Sequence, residues 1–376
     1  MRQANKEHAK YNYGEILFPA KKADALAYPT MSLHLAPPPA LGLGRVTRLV
    51  VLCFFLLGAP LAFGHARLLN VSFDLSREFY RDVNALFSRD WQEAHGEKIE
   101  VRQSHGPASA QARAVLHGLG ADVVTFYSDL EMQMLVKAGL VAPGWKREFP
   151  FDASPYTSVM VILVPEGNPK RIVGWDDLGR EDVVAIAANP KTSGTGRFVF
   201  LTLWNWAVKQ GGEDFAHRFV ASVYQKMPVR ASAARAATNV FVLQGMGDCL
   251  VTFENEALLV KKMLDKKGFQ VVHASPTLMG EFPVAVLEST KKRGTFDAAR
   301  AYLAWLYTPK GQEEAARHFL RPRDLEVLSR FRGIYPDIEA STPEKALGLS
   351  WATMQKRFFA SGGLFDAIAE EGRRRP

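Results

Sequence analysis

The sequence predicts a two-lobed α/β fold, each lobe a mainly parallel sheet flanked by helices, with a ligand cleft at the hinge. Three observations carry this. Short apolar runs alternate with helical patterns between residues 68 and 139, the βαβαβ order of a parallel sheet whose loops gather at the carboxyl ends of its strands. The alternation restarts after Pro155. Within the second half, Asn189-Pro-Lys-Thr-Ser-Gly-Thr-Gly-Arg197 joins an apolar strand to a helix, a turn that presents backbone N–H groups to one point.

In the first module, Leu68–Phe73 reads as a strand ending at Asp74. Ser76-Arg-Glu-Phe then opens a helix with Phe79, Val83, Leu86, Phe87 and Trp91 on one face. Ile99-Glu-Val101 is a second strand. It runs into Ser104-His-Gly-Pro-Ala-Ser109 and a helix from Gln111. Asp122–Phe126 is the third strand, followed by a Met/Leu-rich helix ending at Gly139. In the second module, strands are expected at Ser158–Val164, Val183–Ala188, Asp248–Phe253 and Phe269–Val272. A short helix opens within Val173–Leu178, another follows the 189–197 turn, and a third covers Ala216–Val223. The last hundred residues read as mostly helical, over Phe296–Tyr307, Gln312–Phe319 and Ser350–Phe359. A crossing near Tyr156 and a return near Pro283 divide the chain into 67–155 (lobe I, first part), 156–281 (lobe II) and 282–376 (lobe I return and C-terminal helices).

Residues 1–66 form an N-terminal extension and a secretory signal. Arg45 and Arg48 precede the apolar run Leu49–Leu57, and Gly64-His-Ala66 supplies the small-residue exit, with cleavage expected near Ala66. Pro60 follows too closely for a membrane span. Such a signal would send the mature chain out of the cytoplasm. Cys53 lies in the signal, so the mature chain keeps Cys249 alone, which excludes an internal disulfide and a cysteine metal cluster. Without the seven basic and three acidic residues of 1–66, 40 basic side chains remain against 36 acidic ones. That mild excess gives no case for nucleic acid.

The first N–H groups of a helix have no internal partner and the helix dipole favours negative charge, so the 189–197 turn is an anion site. It lacks the Gly-x4-Gly-Lys-Ser/Thr spacing of a nucleotide loop. His105 has no Asp or Glu spaced to orient it and reads as a packing histidine. The nine histidines show no metal-ligand spacing. No catalytic residue, metal or cofactor is expected. Trp204 and Trp206 read as core and lobe surface.

Several stretches resemble the periplasmic sulfate-binding proteins of sulfate and thiosulfate ABC importers: Leu69-Asn-Val-Ser-Phe-Asp74, Gln103-Ser-His-Gly106, Gly120-Ala-Asp-Val-Val-Thr125, Pro155-Tyr-Thr-Ser158, Glu166-Gly-Asn-Pro-Lys170, Asn189-Pro-Lys191 with Ser193-Gly194, Glu254-Asn-Glu-Ala-Leu258 and Arg321-Pro-Arg-Asp324. They lie in collinear order between about residues 67 and 370. The resemblance implies a type II periplasmic binding protein, here a monomer, that holds a dehydrated dianion through neutral donors and hands it to an inner-membrane ABC permease. By position it implies the Asp74 amide, the Ser193 hydroxyl, the amides of Ser193, Gly194 and Thr195, and an amide at Ala234. Charge-assisted hydrogen bonds of about 1.5–3 kcal/mol each would offset the stripping of water. Arg197 and Arg235 are expected to flank the anion and pair with carboxylates such as Glu254 or Asp129.

Three departures from the family pattern stand out. Ala108 replaces a ligand-binding serine, with Ser109 next door but about 100° round the helix. Phe253 replaces a tryptophan and removes its indole donor, and Thr195 replaces a glycine. Losing two side-chain donors costs a sulfate site roughly 2–5 kcal/mol. Capture of sulfate or thiosulfate is therefore weighed against a sulfate ester or sulfonate whose carbon arm meets Ala108 and Phe253. A periplasmic ester hydrolase, the reading from another class, lacks a visible nucleophile or metal set. With donors alone in the site and Asp74 and Glu254 facing away, toward helix N–H groups or arginines, phosphate is expected to be rejected, because its proton finds no acceptor.

Overall fold

The computed structural model describes residues 66–264 and 268–374. The expected extension and signal segment, with Cys53, lie outside them except for Ala66. No helix among the described residues is long and apolar enough to cross a membrane.

Two sheets organise the chain. The first is ordered β10-β3-β1-β2. Its strands β1 (Ala66–Phe73), β2 (Ile99–Gly106) and β3 (Val123–Thr125) are parallel, and β10 (Val284–Val286) joins antiparallel. After one 3-10 turn (Asp74–Ser76) comes helix α1 (Arg77–His95). It buries Phe79, Val83 and Phe87, the predicted face, and stops at Gly96 in the left-handed conformation that glycine adopts without strain. Helices α2 (Ala108–Leu116) and α3 (Asp129–Lys137) complete this layer, α2 starting three residues before the expected Gln111 because Pro107 sits just ahead of its first turn.

The second sheet is ordered β12-β9-β4-β7-β5-β6, with β8 and β11 also on β4. Strand β4 (Tyr156–Pro165) is buried at every position but the last, as a continuous apolar run requires. It runs antiparallel to β7 (Cys249–Phe253), β8 (Phe269–Val272), β9 (Thr277–Gly280) and β11 (Arg321–Pro322). Beyond it, β5 (Ala185–Ala188) is parallel to β7 and to β6 (Arg230–Ala231). Helices α4 (Gly194–Lys226), α5 (Ala234–Val242) and α6 (Glu254–Met263) each follow a strand of this sheet. The helix expected at Ala216–Val223 is the far half of α4. The bend between the halves lies at Gly211 and Gly212, the latter at φ 73°, which only glycine reaches cheaply.

The chain passes to the second sheet at Tyr156 and back at Val284. Arg323 holds the two passages together, donating to the Ser154 carbonyl at 3.2 Å and hydroxyl at 3.1 Å and to Glu281 Oε1 at 2.9 Å.

The return segment continues through α7 (Ser289–Arg293), α8 (Phe296–Trp305), α9 (Pro309–Arg317), α10 (Leu325–Arg330), β12 (Ala340–Ser341), α11 (Pro343–Leu347), α12 (Trp351–Met354), a π turn (Gln355–Phe359) and α13 (Leu364–Arg374). It does not stay with the first sheet. β11 and β12 join the second, and Phe358, Phe359 and Phe365 pack on Phe200 of α4. The apolar face of α4, with Phe200, Trp204 and Tyr224, needs that cover. Trp204 is buried there, and half-buried Trp206 packs on Phe219 at 4.8 Å.

Candidate functional site

The predicted ligand positions gather where loops leave the carboxyl ends of strands. Asp74 follows β1, Ala108 and Ser109 begin α2 after β2, Ser193–Thr195 begin α4 after β5, Ala234 begins α5 after β6, and Phe253 ends β7. Asp74, Ala108, Ser193, Thr195, Ala234 and Phe253 are all buried.

Donors at the helix starts divide into engaged and unengaged groups. The Ser193 amide, expected to face the anion, instead donates to the Asn189 carbonyl at 2.9 Å, closing the turn before the helix. The Ser193 hydroxyl oxygen accepts from the Gly196 amide at 3.4 Å as the N-cap, which leaves its proton to donate. Among the described residues, the amides of Gly194, Thr195 and Ala234 meet no protein acceptor. Buried backbone N–H groups are almost always paired, so three unengaged at two helix starts are donors free to take an anion.

Asp74 faces a helix N–H group, as expected, but at one of the two helix starts that carry the unengaged amides. Its Oδ2 accepts from the Arg235 amide at 3.0 Å, in the first turn of α5, and Oδ1 accepts from the Tyr127 hydroxyl at 3.3 Å. Burial raises its pKa, against the lowering pull of the Arg235 amide and guanidinium. A carboxylate acceptor thus stands beside the donors at the start of α5. Glu254 does face away, toward Arg321 at 2.6 and 2.8 Å and His273 at 2.8 Å.

Tyr127 was not foreseen, and it touches several of the predicted positions. Its ring lies against Gly194, where a Cβ would stand 2.4 Å from its Cδ2. It stacks on Phe253 at 5.6 Å and 8° between planes. Its hydroxyl lies beside that of Thr195, which is buried without a well-formed hydrogen bond. Phe253, expected to line the pocket, is covered by this ring and by Phe198 and Phe282. Ala108 offers only a buried methyl. On its outer side Tyr127 borders a cleft of about 40 Å³ shared with Lys146, Phe198, Glu281, Glu344 and Trp351.

Both arginines flank the site, with different partners from those expected. Arg197 pairs with Glu131 and donates to the Ser109 hydroxyl at 3.2 Å, while Ser109 donates to Glu131 Oε1 at 3.0 Å. Ser109 is thus committed to Glu131 and does not replace the missing serine. Arg235 forms ion pairs with Glu78 and Glu256, each at 3.1 Å. Burial works against its charge, but Glu256, Glu78 and Asp74 outweigh it and raise its pKa. Burial raises the pKa of Glu256 despite Arg235.

The chain matches the sequence profile of a family described as "Bacterial extracellular solute-binding protein" over residues 77–321. The thiosulfate-binding protein of Pseudomonas aeruginosa is 40% identical over 321 residues, 83% of this chain and 96% of that one. The chain belongs to this solute-binding family. The sulfate-binding protein of Escherichia coli K12 is 39% identical over 324 residues, 85% of this chain and 98% of that protein. The solved structure of the sulfate-binding protein SubI from Mycobacterium tuberculosis superposes with a TM-score of 0.71 at 29% identity, covering 78% of this chain and all of that one.

Two polar groups outside the site belong to the framework of this family member. His105 Nδ1 lies 2.6 Å from the Ser72 hydroxyl, with no carboxylate hydrogen-bonded to the ring, and burial with Arg77 nearby holds its pKa down at about 4. Asp82, Glu314 and His318 bring three ligand atoms within 4.8 Å, a grouping that spacing did not reveal. His318 Nε2 lies 3.0 Å from Asp82 and 3.1 Å from Glu314. Burial opposes its charge, but the two carboxylates outweigh it and raise its pKa.

Proposed function

We propose that this protein captures a sulfate-type oxyanion, sulfate or thiosulfate, in the cleft between its lobes and delivers it to an ABC permease of the inner membrane. It does so as a periplasmic monomer after removal of its signal near Ala66, and performs no covalent chemistry. Residues 67–155 and part of the segment from 282 build one lobe, and 156–281 the core of the other.

The observation that carries this reading is the set of buried, unengaged amides of Gly194, Thr195 and Ala234 at the starts of α4 and α5. Neutral dipoles suit a dianion that must also be released, and the arginines that supply the surrounding charge are held off it by Glu131, Glu78 and Glu256. With donors from both lobes on one ion, the ligand favours the closed arrangement. The relatives named for sulfate and thiosulfate support the anion class. An organic sulfate or sulfonate is less well supported. Phe253 and Ala108, the apolar surface its arm would meet, are both fully buried.

Calorimetric titration of the mature chain with sulfate, thiosulfate, phosphate and methanesulfonate tests the proposal. Binding of sulfate or thiosulfate with one ion per chain is expected. Tighter binding of methanesulfonate, or no binding of either inorganic anion, would overturn it.

A further inference from the structure

The two side-chain donors that the sequence lacks at positions 108 and 253 leave a question about what else reads the anion. Tyr127 stacks on Phe253 and carries a hydroxyl beside the helix starts of the site. Its hydroxyl touches Asp74 on the first-lobe side and lies beside the Thr195 hydroxyl at the start of α4; Asp74 in turn holds the Arg235 amide in the first turn of α5. The hydroxyl therefore stands beside the starts of both helices that carry the unengaged amides.

We propose that Tyr127 is the ligand-reading donor of this site, its hydroxyl supplying to the bound oxyanion the side-chain hydrogen bond that Ala108 and Phe253 do not. This rests on the reading of the site as one for a sulfate-type anion.

Three features separate this role from packing. The ring is fixed: Gly194 lets it lie directly on the start of α4, and Phe73 at 4.1 Å and Phe253 at 5.6 Å hold its other sides. A donor held in place before the ligand arrives loses little freedom on binding. The hydroxyl is also under-used. An O–H donor to a carboxylate closes to about 2.5–2.7 Å when the bond is fully formed, whereas the Tyr127–Asp74 contact is 3.3 Å. A hydrogen bond this long is given up for a better-placed acceptor at small cost. Finally, burial, with Asp74 adding to it, raises the phenol pKa well above its ordinary value, so the proton stays in place to be donated. As the anion enters, the ring stays in place and the hydroxyl turns its proton from Asp74 to an anion oxygen.

The test compares the unaltered chain with Tyr127→Phe by calorimetry, with sodium sulfate and sodium thiosulfate as probes at pH 7. Tyr127→Phe keeps the ring and removes the donor. It should bind both anions about tenfold or more weakly, with no fall in the ligand-free thermal midpoint. NMR of ring-labelled tyrosine in the unaltered chain gives an independent readout: the Tyr127 signals, assigned by their loss in Tyr127→Phe, should shift on adding sulfate. Tyr127→Phe affinity within twofold of the unaltered chain would reduce Tyr127 to packing. Tighter binding would make the hydroxyl an occupant that the anion must expel. Either result overturns the proposal while leaving the anion site standing. Failure of the unaltered chain to bind either salt would overturn the site reading itself, and this inference with it.

Discussion

The Asp74 carboxylate, which follows a strand of the first sheet, accepts a hydrogen bond of 3.0 Å from the Arg235 amide in the first turn of a second-lobe helix. A charged side chain of one lobe thus rests on the positive helix end of the other, beside the place proposed for the ligand. Because burial raises the Asp74 pKa above its ordinary 3.8, the folded chain binds more protons there than the unfolded chain. Above the folded pKa the charge is a cost to stability, and that cost is relieved as the pH falls through it.

A dianion arriving beside Asp74 raises that pKa further. Sulfate binding should therefore take up protons and tighten as the pH is lowered from 7 toward 5. Calorimetry in two buffers of different ionisation enthalpy measures the uptake. Asp74→Asn should abolish most of it, whereas an unchanged slope would move the effect to Glu256, whose pKa burial also raises. The same carboxylate gives a protonated phosphate an acceptor. Phosphate titrated across pH 5 to 8 should bind measurably, in place of the strong rejection expected of a donor-only site.

Arg197 and Glu131 form an ion pair with side chains 3% and 0% exposed, linking α4 to α3. Removing one partner leaves a buried charge alone. Arg197→Met and Glu131→Gln should each destabilise the chain by about 3–5 kcal/mol, and the double variant should recover much of the loss. Urea denaturation of the four chains closes this cycle. Additive losses would mean that the two side chains act independently.

Glycines 194 and 196 should respond differently to alanine. A Cβ at Gly194 meets a side chain, Tyr127, whereas one at Gly196 meets backbone atoms of Ala188, Asn189 and Pro190 at 2.5–2.7 Å. Both substitutions should lower the thermal midpoint. Adding Tyr127→Ala should restore much of the loss for Gly194→Ala and none for Gly196→Ala.

Phe253→Trp was the natural way to return an indole donor to the site. The packing argues against it. Tyr127, Phe198 and Phe282 enclose the ring, and Gly280 backs it so closely that a Cβ there would stand 3.0 Å from it. Overpacking should cost about 1–3 kcal/mol with no gain in sulfate affinity, with or without Ala108→Ser. An indole at 253 should tighten sulfate binding only when Tyr127→Ala makes room, as calorimetry of the single and double variants would reveal.

Local chemistry made the helix starts readable. Ser193-Gly194 after an apolar strand marked the beginning of α4, and the period of Phe79, Val83 and Phe87 marked α1. What escaped was set by contacts far apart in sequence. Nothing near Tyr127 says that its ring will lie on Gly194, 67 positions later, although its place just after a strand put it on the correct rim of the sheet. The Arg197 partner was sought at Asp129 and found one half-turn on, at Glu131, because only the docking of α3 on α4 decides which carboxylate points inward. The two-residue strands β6, β11 and β12 are too short to carry a period at all.

The turn that shapes the proposed anion site is fastened from the other end of the chain. Lys191 donates to the carbonyls of Phe359 and Ala360 at 3.1 and 2.9 Å and to Asp366 at 2.7 Å, while Phe359 and Phe365 cover Phe200 of the same helix. A chain that lengthens from its N-terminus holds residues 189–197 long before it holds residue 366. Capture of a ligand is thereby tied to completion: a polypeptide still on the ribosome, or threaded part-way through an export channel, has the amides but not the clamp that aims them. Chains ending at Gly348 should accordingly fold in part, bind anions poorly, and regain binding when a peptide spanning 349–376 is added back.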